Sequence, residues 1–195
     1  MTINADLKLA FPIRWSDDAK PLIWAYHTPL SREVFDANYR VIAATKAALF
    51  SKGLGYAAEI APTIASLALQ DAARQDALES GVEGDGARPL LAELKRLTMV
   101  LAPGAIGYEL IPAEVAVARK VIDDEDWSEA ESGVVFFTCG YAMTPRRLRE
   151  NKATALALIL RGSTTSLAPL EWVASLPKST EGETSEPAPA SSLPS

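Results

Sequence analysis

The stretch "DWSEAESGVVFFTCGYAMT", residues 126 to 144, is apolar on nearly every side when it is wound into a helix. Over residues 128 to 143 the apolar side chains occupy two adjacent sides of that helix: Ala130, Val134, Phe137 and Tyr141 on the first, and Phe136, Cys139 and Met143 on the second. A helix with almost no polar face belongs inside a protein or at an interface. Ser128 and Glu131 have the spacing of an S-x-x-E capping box, so we predict that this buried helix begins there.

Cys139 is the only cysteine of the chain and His27 is its only histidine. A reactive thiolate needs a helix N-terminus or a nearby cation to lower its pKa, whereas Cys139 lies near the C-terminal end of the predicted helix. We therefore expect it to pack as a small apolar group. His27 ends a predicted strand just before Thr28 and Pro29, and packing at this turn is the expected role. A catalytic pair formed by Cys139 and His27 is an alternative that the sequence leaves open.

The remaining patterns that carry chemistry are incomplete. One histidine and one cysteine cannot form a Cys₂His₂ or His₃ zinc site. The acidic run "DDEDW", residues 123 to 127, lacks the spacing of a calcium loop and is expected to be a charged helix start. No glycine motif matches a phosphate cradle, and there is no G-x-S-x-G. We predict no catalytic residue, no metal, no cofactor and no enzymatic activity; an enzyme using only carboxylates is the remaining alternative of that class.

Local patterns define most of the elements. Residues 7 to 14 and 20 to 27 are short apolar stretches on either side of a turn, which predicts a β-hairpin. Pro12 suits only an edge strand. From Ser31, a good N-cap, the apolar period becomes helical, and further helices are predicted as far as Gly81, with a restart at Pro62.

The second half of the chain also reads as mainly helical. A helix starting at Pro89 is predicted to carry a stripe of leucines as far as Pro103: Leu90, Leu94, Leu97 and Leu101. Residues 108 to 111 are either a short strand or a loop before a helix that starts at Pro112. A helix is predicted from Pro145 to Arg161, and a last short one after Ser166.

The predicted fold class is therefore mainly α with a small N-terminal β-hairpin, an α+β arrangement. Residues 1 to 176 form one helical domain with this β element. Residues 177 to 195 are rich in Pro, Ser and Glu and have almost nothing to bury. We predict a disordered C-terminal tail there, since little apolar burial offsets the cost of ordering it.

Charge and hydropathy limit the environment and the partners. The formal net charge is −6, whereas nucleic-acid binding needs clustered Lys and Arg. No apolar run approaches the roughly 18 residues that span a membrane, the N-terminus does not resemble a secretory signal, and a single cysteine cannot form an internal disulfide. We expect a soluble cytoplasmic protein with no nucleic-acid or membrane partner.

Tryptophan placement indicates a protein-binding role. The chain has four tryptophans, a residue enriched at protein interfaces. Trp15 lies beside the predicted turn of the hairpin. Trp172 and Leu176 lie beside the predicted tail. These three are the candidate partner-binding residues, although core packing is the usual role of each such residue taken alone.

Three stretches together resemble the tail assembly chaperones of long-tailed bacteriophages and prophages: "TPLSREVFDANYRVIAA", "DDEDWSEAESGVVFFTCGYAM" and "LAPLEWVASLPKST". The resemblance implies a small, acidic, mainly helical, non-enzymatic protein of the bacterial cytoplasm. It also implies that the chain binds the tape measure protein and the major tail protein during tail building, and is absent from the finished particle. No residue role carries over from the family.

An alternative from another class is a structural virion component, a tail or head-completion protein that stays in the particle. The sequence also leaves open a homo-oligomer formed through pairing of the β segment with another copy.

Overall fold

The computed structural model describes residues 7–81 and 86–176. The predicted disordered tail, residues 177 to 195, lies outside the described residues. Five strands are described: β1 (Lys8–Trp15), β2 (Pro21–His27), β3 (Thr98–Gly104), β4 (Gly107–Pro112) and β5 (Ser163–Thr165). They form one antiparallel sheet in the order β4-β3-β2-β1-β5.

The helices of the described residues lie between β2 and β3, between β4 and β5, and after β5. They are α1 (Arg32–Phe50), α2 (Leu54–Glu59), α3 (Ala61–Ser80), α4 (Arg88–Arg96), α5 (Ala113–Ala118), α6 (Asp124–Ala142), α7 (Arg149–Ile159) and α8 (Pro169–Ser175), with a 3₁₀ turn at Arg146–Leu148. Ser31 caps α1, since its hydroxyl accepts the N–H of Val34 at 3.3 Å. Pro62 lies in the first turn of α3, where a missing N–H is tolerated. The predicted cap and the predicted restart are confirmed.

The prediction of a mainly helical fold with only a hairpin is wrong. The hairpin itself is present as β1 and β2, but it is part of a five-stranded antiparallel sheet in an α+β fold. The predicted leucine helix ends at Arg96, and Thr98 begins β3. Leu101 pairs with Trp24 of β2 instead of continuing the helical stripe. The leucine spacing fits a helix, but pairing with β2 determines the structure of residues 98 to 104.

Two ambiguous features are resolved by the sheet. Residues 108 to 111 belong to strand β4, and the helix that follows begins at Ala113. Pro12 lies in β1, which has strand neighbours on both sides, but β5 pairs only with Lys8, Leu9 and Ala10. Pro12 therefore lies beyond the end of β5, where no described strand needs its missing N–H on that side.

The central helix α6 starts earlier than predicted. Asp123 is its N-cap: the Asp123 carboxylate accepts the N–H of Asp126 at 2.9 Å, and the Asp126 carboxylate accepts the N–H of Asp123 at 3.0 Å. The predicted box at Ser128 and Glu131 is wrong, because the acidic pair five residues upstream satisfies the free donors first. Burial of the helix is confirmed, since Ala130 and every residue from Ser132 to Tyr141 are buried.

The two faces of the sheet are covered unequally. The main core lies on one face of the sheet, where Leu9, Phe11 and Ala25 are buried; α4 and α6 contact the strands there, and α1 and α3 pack against α6. The opposite face carries a smaller cluster of Ala10, Tyr26, Leu101 and Trp172, which includes α8. The long helices therefore lie on one side of the sheet, and among the described elements the seven-residue α8 is the helix on the other side.

Candidate functional site

Cys139 is fully buried in α6. Burial raises the pKa of its thiol to about 12, only partly offset by the positive charge of Lys46. The thiol is therefore protonated at neutral pH and closed to solvent, which is the opposite of what a nucleophilic cysteine needs. The structure gives Cys139 a packing position.

His27 is also fully buried, at the end of β2. Its Nδ1 lies 3.0 Å from the Thr98 hydroxyl, which donates its own proton to the Leu94 carbonyl at 2.8 Å. Nδ1 must then donate to the Thr98 oxygen. In the neutral ring this leaves Nε2 without a proton. Among the described residues Nε2 has no hydrogen-bond partner. Burial lowers the pKa of His27 to about 3. Its hydrogen bond is to Thr98 and not to Cys139.

The acidic run at the start of α6 forms the helix cap and ties it to the sheet. The Arg14 guanidinium of β1 contacts the carboxylates of both Asp123 and Asp126, with an Arg14 Nη2 to Asp123 Oδ2 distance of 3.3 Å. The hydrogen bond from the Asp126 backbone N–H, followed by the charge of Arg14, lowers the pKa of Asp123. Within residues 7–81 and 86–176 no three His, Cys, Asp or Glu side chains are grouped as metal ligands would be.

The three candidate partner-binding residues occupy different environments. Trp15, at the end of β1, is 40% exposed, and the Arg161 guanidinium lies 5.9 Å from its ring centroid. Trp172 is only 5% exposed and meets the Trp24 ring edge-on at 5.0 Å. Leu176 is half-buried against the same cluster as Trp172. Trp15 therefore offers accessible aromatic surface, whereas Trp172 lies inside the fold.

A cavity of about 460 Å³ opens beside the free part of β1. Its apolar lining comes from β1, from the start of α3 and from the end of α7: Phe11, Pro12, Ile13, Pro62 and Leu160. Its other side is formed by the first turns of α6, through Glu125, Ser128, Glu129 and Gly133. We call this cavity the acidic groove.

The acidic groove exists because β5 is short. β5 pairs with Lys8 to Ala10 and begins at Ser163, opposite Ala10, so the outer side of β1 from Phe11 onward has no partner among the described strands. Register shifts between Pro12 and Arg14, and between Arg14 and Trp15, distort this part of β1 further. The sheet edge thus leaves a space that α3 and α6 enclose.

Gly133 determines how closely α6 approaches the sheet. A Cβ at this position would lie 3.0 Å and 3.1 Å from two ring atoms of Phe11, and 3.4 Å from Leu160 Cδ2. Glycine lets the backbone of α6 contact the Phe11 ring directly. The base of the acidic groove therefore depends on the absence of a side chain at residue 133.

The two glutamates of the acidic groove have no salt-bridge partner in the part of the chain that the structure describes. Glu125 and Glu129 are one helical turn apart on α6, and both are exposed. Across residues 7–81 and 86–176 neither forms a salt bridge, whereas the nearby Asp123 and Asp126 are both bound to Arg14. Two carboxylates on one helix face therefore border an apolar cavity whose described lining contains no cation.

Sequence reasoning missed this groove. The predicted helix start at Ser128 put Glu125 ahead of the first helical turn, so the one-turn spacing of residues 125, 129 and 133 on a single helix face was not visible. The sequence signal that could have revealed the groove is the acidic capping pair Asp123 and Asp126, which starts α6 early enough to include Glu125.

Another cavity, of about 330 Å³, lies between α1 and α3. Its arginine, Arg40, already pairs with Asp76 at 2.9 Å and with Glu79 at 3.3 Å. The charges at this second cavity are thus satisfied inside the protein, in contrast to those of the acidic groove.

Comparison with known proteins finds no match: no protein-family model, no curated protein and no solved structure is significantly similar to this chain. Among the helices of the described ranges, none has both the length and the apolar character that crossing a membrane requires.

Proposed function

We propose that this protein is a non-enzymatic tail assembly chaperone of the type encoded by long-tailed bacteriophages and prophages. It binds the tape measure protein and the major tail protein in the bacterial cytoplasm while the tail is built. The proposal draws on the resemblance of three sequence stretches, which lie in the region from β2 to α1, in α6, and at α8.

The observation that carries the proposal is the acidic groove, an apolar cavity with two uncompensated carboxylates on one side. Such a surface suits the side chains of another polypeptide, which bring apolar area and positive charge together. The two residues with the usual reactive groups, Cys139 and His27, are fully buried. This arrangement favours binding over chemistry.

The proposed mechanism is the covering of apolar surface. Tail subunits expose apolar patches that become buried when they polymerise, and a bound chaperone keeps those patches from associating early. The net charge of −6 makes the complexes repel one another, which keeps them soluble. The same charge attracts basic segments of the partner. Binding must be reversible, since the family resemblance implies that the chaperone leaves before the particle is complete.

Co-expression with the tape measure protein of the same phage or prophage tests the proposal. We expect the soluble fraction of the tape measure protein to rise by about tenfold, because association with this chain competes with self-association. An unrelated acidic protein of similar size is the control for general effects of expression. Equal precipitation of the tape measure protein with this chain and with the control contradicts the proposal.

A further inference from the structure

The free edge of β1 is poorly suited to adding a partner strand. It begins at Phe11, the residue after the last one that pairs with β5. Only five residues of β1 are therefore left without a strand on that side. Pro12 has no N–H to donate, and the register shifts after it break the regular spacing of the backbone groups. A polypeptide that enters the acidic groove must therefore bind through its side chains rather than by extending the sheet.

The apolar lining sets the size of what enters. Phe11 and Ile13 are buried at the base of the acidic groove, while Pro62 and Leu160 are half-buried at its sides. A volume of about 460 Å³ is within the usual range for ligand sites, roughly 300–1,000 Å³. This space holds a few large apolar side chains, as one face of a single helix supplies through positions three and four residues apart.

The two glutamates determine the charge of the occupant. Glu125 and Glu129 are on the same face of α6, one turn apart, and none of the described residues that line the acidic groove is a Lys or an Arg. Two arginines directly follow lining residues in sequence: Arg14 is bound to Asp123 and Asp126, and the Arg161 guanidinium lies over the Trp15 ring, 5.9 Å from its centroid. A partner helix with two basic residues at positions i and i+4 matches this spacing, since such residues also lie one turn apart.

We propose that the acidic groove binds one amphipathic helix of a protein partner, with apolar side chains against Phe11, Ile13 and Leu160 and with two Lys or Arg side chains at Glu125 and Glu129. This inference names the binding site of the proposed chaperone and rests on that function. The occupant is a basic amphipathic helix, not a strand and not an acidic segment.

A synthetic peptide tests the site without tail proteins. The probe is a fluorescently labelled 18-residue helix with a leucine stripe flanked by lysines at i and i+4, and its twin carries glutamate in place of lysine. Fluorescence anisotropy with the full chain measures both affinities. We expect saturable binding of the lysine peptide, at least about tenfold tighter than binding of the glutamate peptide, and a loss of affinity at high salt, which screens exposed charges.

Charge reversal locates the binding. The double variant Glu125→Lys/Glu129→Lys is expected to bind the lysine peptide about tenfold more weakly than the unmodified protein, because two attractions become two repulsions. Its control is Glu33→Lys/Glu114→Lys, which makes the same charge change at exposed glutamates in the first turns of α1 and α5. The control is expected to stay within about threefold of the unmodified protein, and circular dichroism verifies that all three are folded.

Three results overturn the inference: no saturable binding of the lysine peptide, equal binding of both peptides, or equal weakening by the groove variant and its control. A failure of the chaperone function looks different. In that case the peptide binds at the acidic groove as described, but co-expression leaves the tape measure protein insoluble.

Discussion

Replacing Gly162 by alanine is expected to lower the free energy of unfolding by about 3 kcal/mol. A Cβ at residue 162 would lie 2.6 Å from Phe11 Cβ and 2.9 Å from Phe11 Cα, and would also collide with the carbonyl oxygen of Ala10. Two of these atoms belong to the main chain and the third is the Cβ of Phe11. None of them moves when a side chain rotates, so no side-chain rotation relieves the overlap. The start of β5 must move away from β1, and the sheet loses that pairing.

The matched control is Gly55→Ala, because nothing lies within 4 Å of a Cβ at that position in α2. There the change should be neutral or stabilising by up to about 1 kcal/mol, as alanine favours a helix over glycine. Urea unfolding followed by the fluorescence of the four tryptophans measures both variants. If Gly162→Ala unfolds at the same urea concentration as the unmodified protein, the close approach of residue 162 to β1 is contradicted.

Acid is expected to destabilise the protein well before its carboxylates are protonated. The pKa of His27 is about 3 in the folded state, against an ordinary value of 6.5, because its buried ring resists a charge. Between these two values the unfolded chain takes up a proton that the folded chain does not. Stability is therefore highest above about pH 6.5 and falls as the pH drops, by about 2 kcal/mol between pH 7 and pH 5.

His27→Gln isolates this effect. Glutamine can still donate a hydrogen bond to the Thr98 hydroxyl but does not titrate, so its stability should change by less than about 0.5 kcal/mol from pH 7 to pH 5. The variant is expected to be less stable than the unmodified protein at pH 7, since the substitution disturbs a packed site. Urea unfolding at several pH values measures the slopes. Parallel slopes for both proteins would show that His27 is not the buried group responsible.

Features encoded by neighbouring residues could be predicted from the sequence. The hairpin has two apolar stretches around a turn, and α1 has a serine cap before its periodic residues, so each signal is complete within one short segment. Burial of α6 followed from the lack of a polar face. These predictions needed no knowledge of the rest of the fold.

The sheet could not be predicted in the same way. β3 continues a leucine spacing that suits a helix, and its strand structure depends on pairing with β2, from which it is separated by the four helices α1 to α4. β5 has only three residues, Ser163–Thr165, too few to show an alternating pattern. At β3, long-range pairing thus overrides the local preference for a helix. At β5, the strand is too short to leave a signal in the sequence.

The acidic groove was missed for a related reason. It needs the end of β5, the free edge of β1 and the first turns of α3 and α6 to come together, and only the fold brings them together. Because α6 begins at Asp124, Glu125 and Glu129 both lie in the helix and on the same face of it. Of the residues chosen from the sequence as partner-binding, Trp15 is the one with substantial exposure, on the same strand as the groove residues Phe11 and Ile13.

Polymerisation of the purified major tail protein, followed by light scattering, tests the central claim most directly. The claim is that this chain acts by binding tail proteins and not by chemistry. With an equimolar amount of this protein, the rise in scattering should be delayed or suppressed, and the two proteins should elute together in size-exclusion chromatography. Scattering traces that superimpose with and without the protein, together with separate elution, would contradict the account.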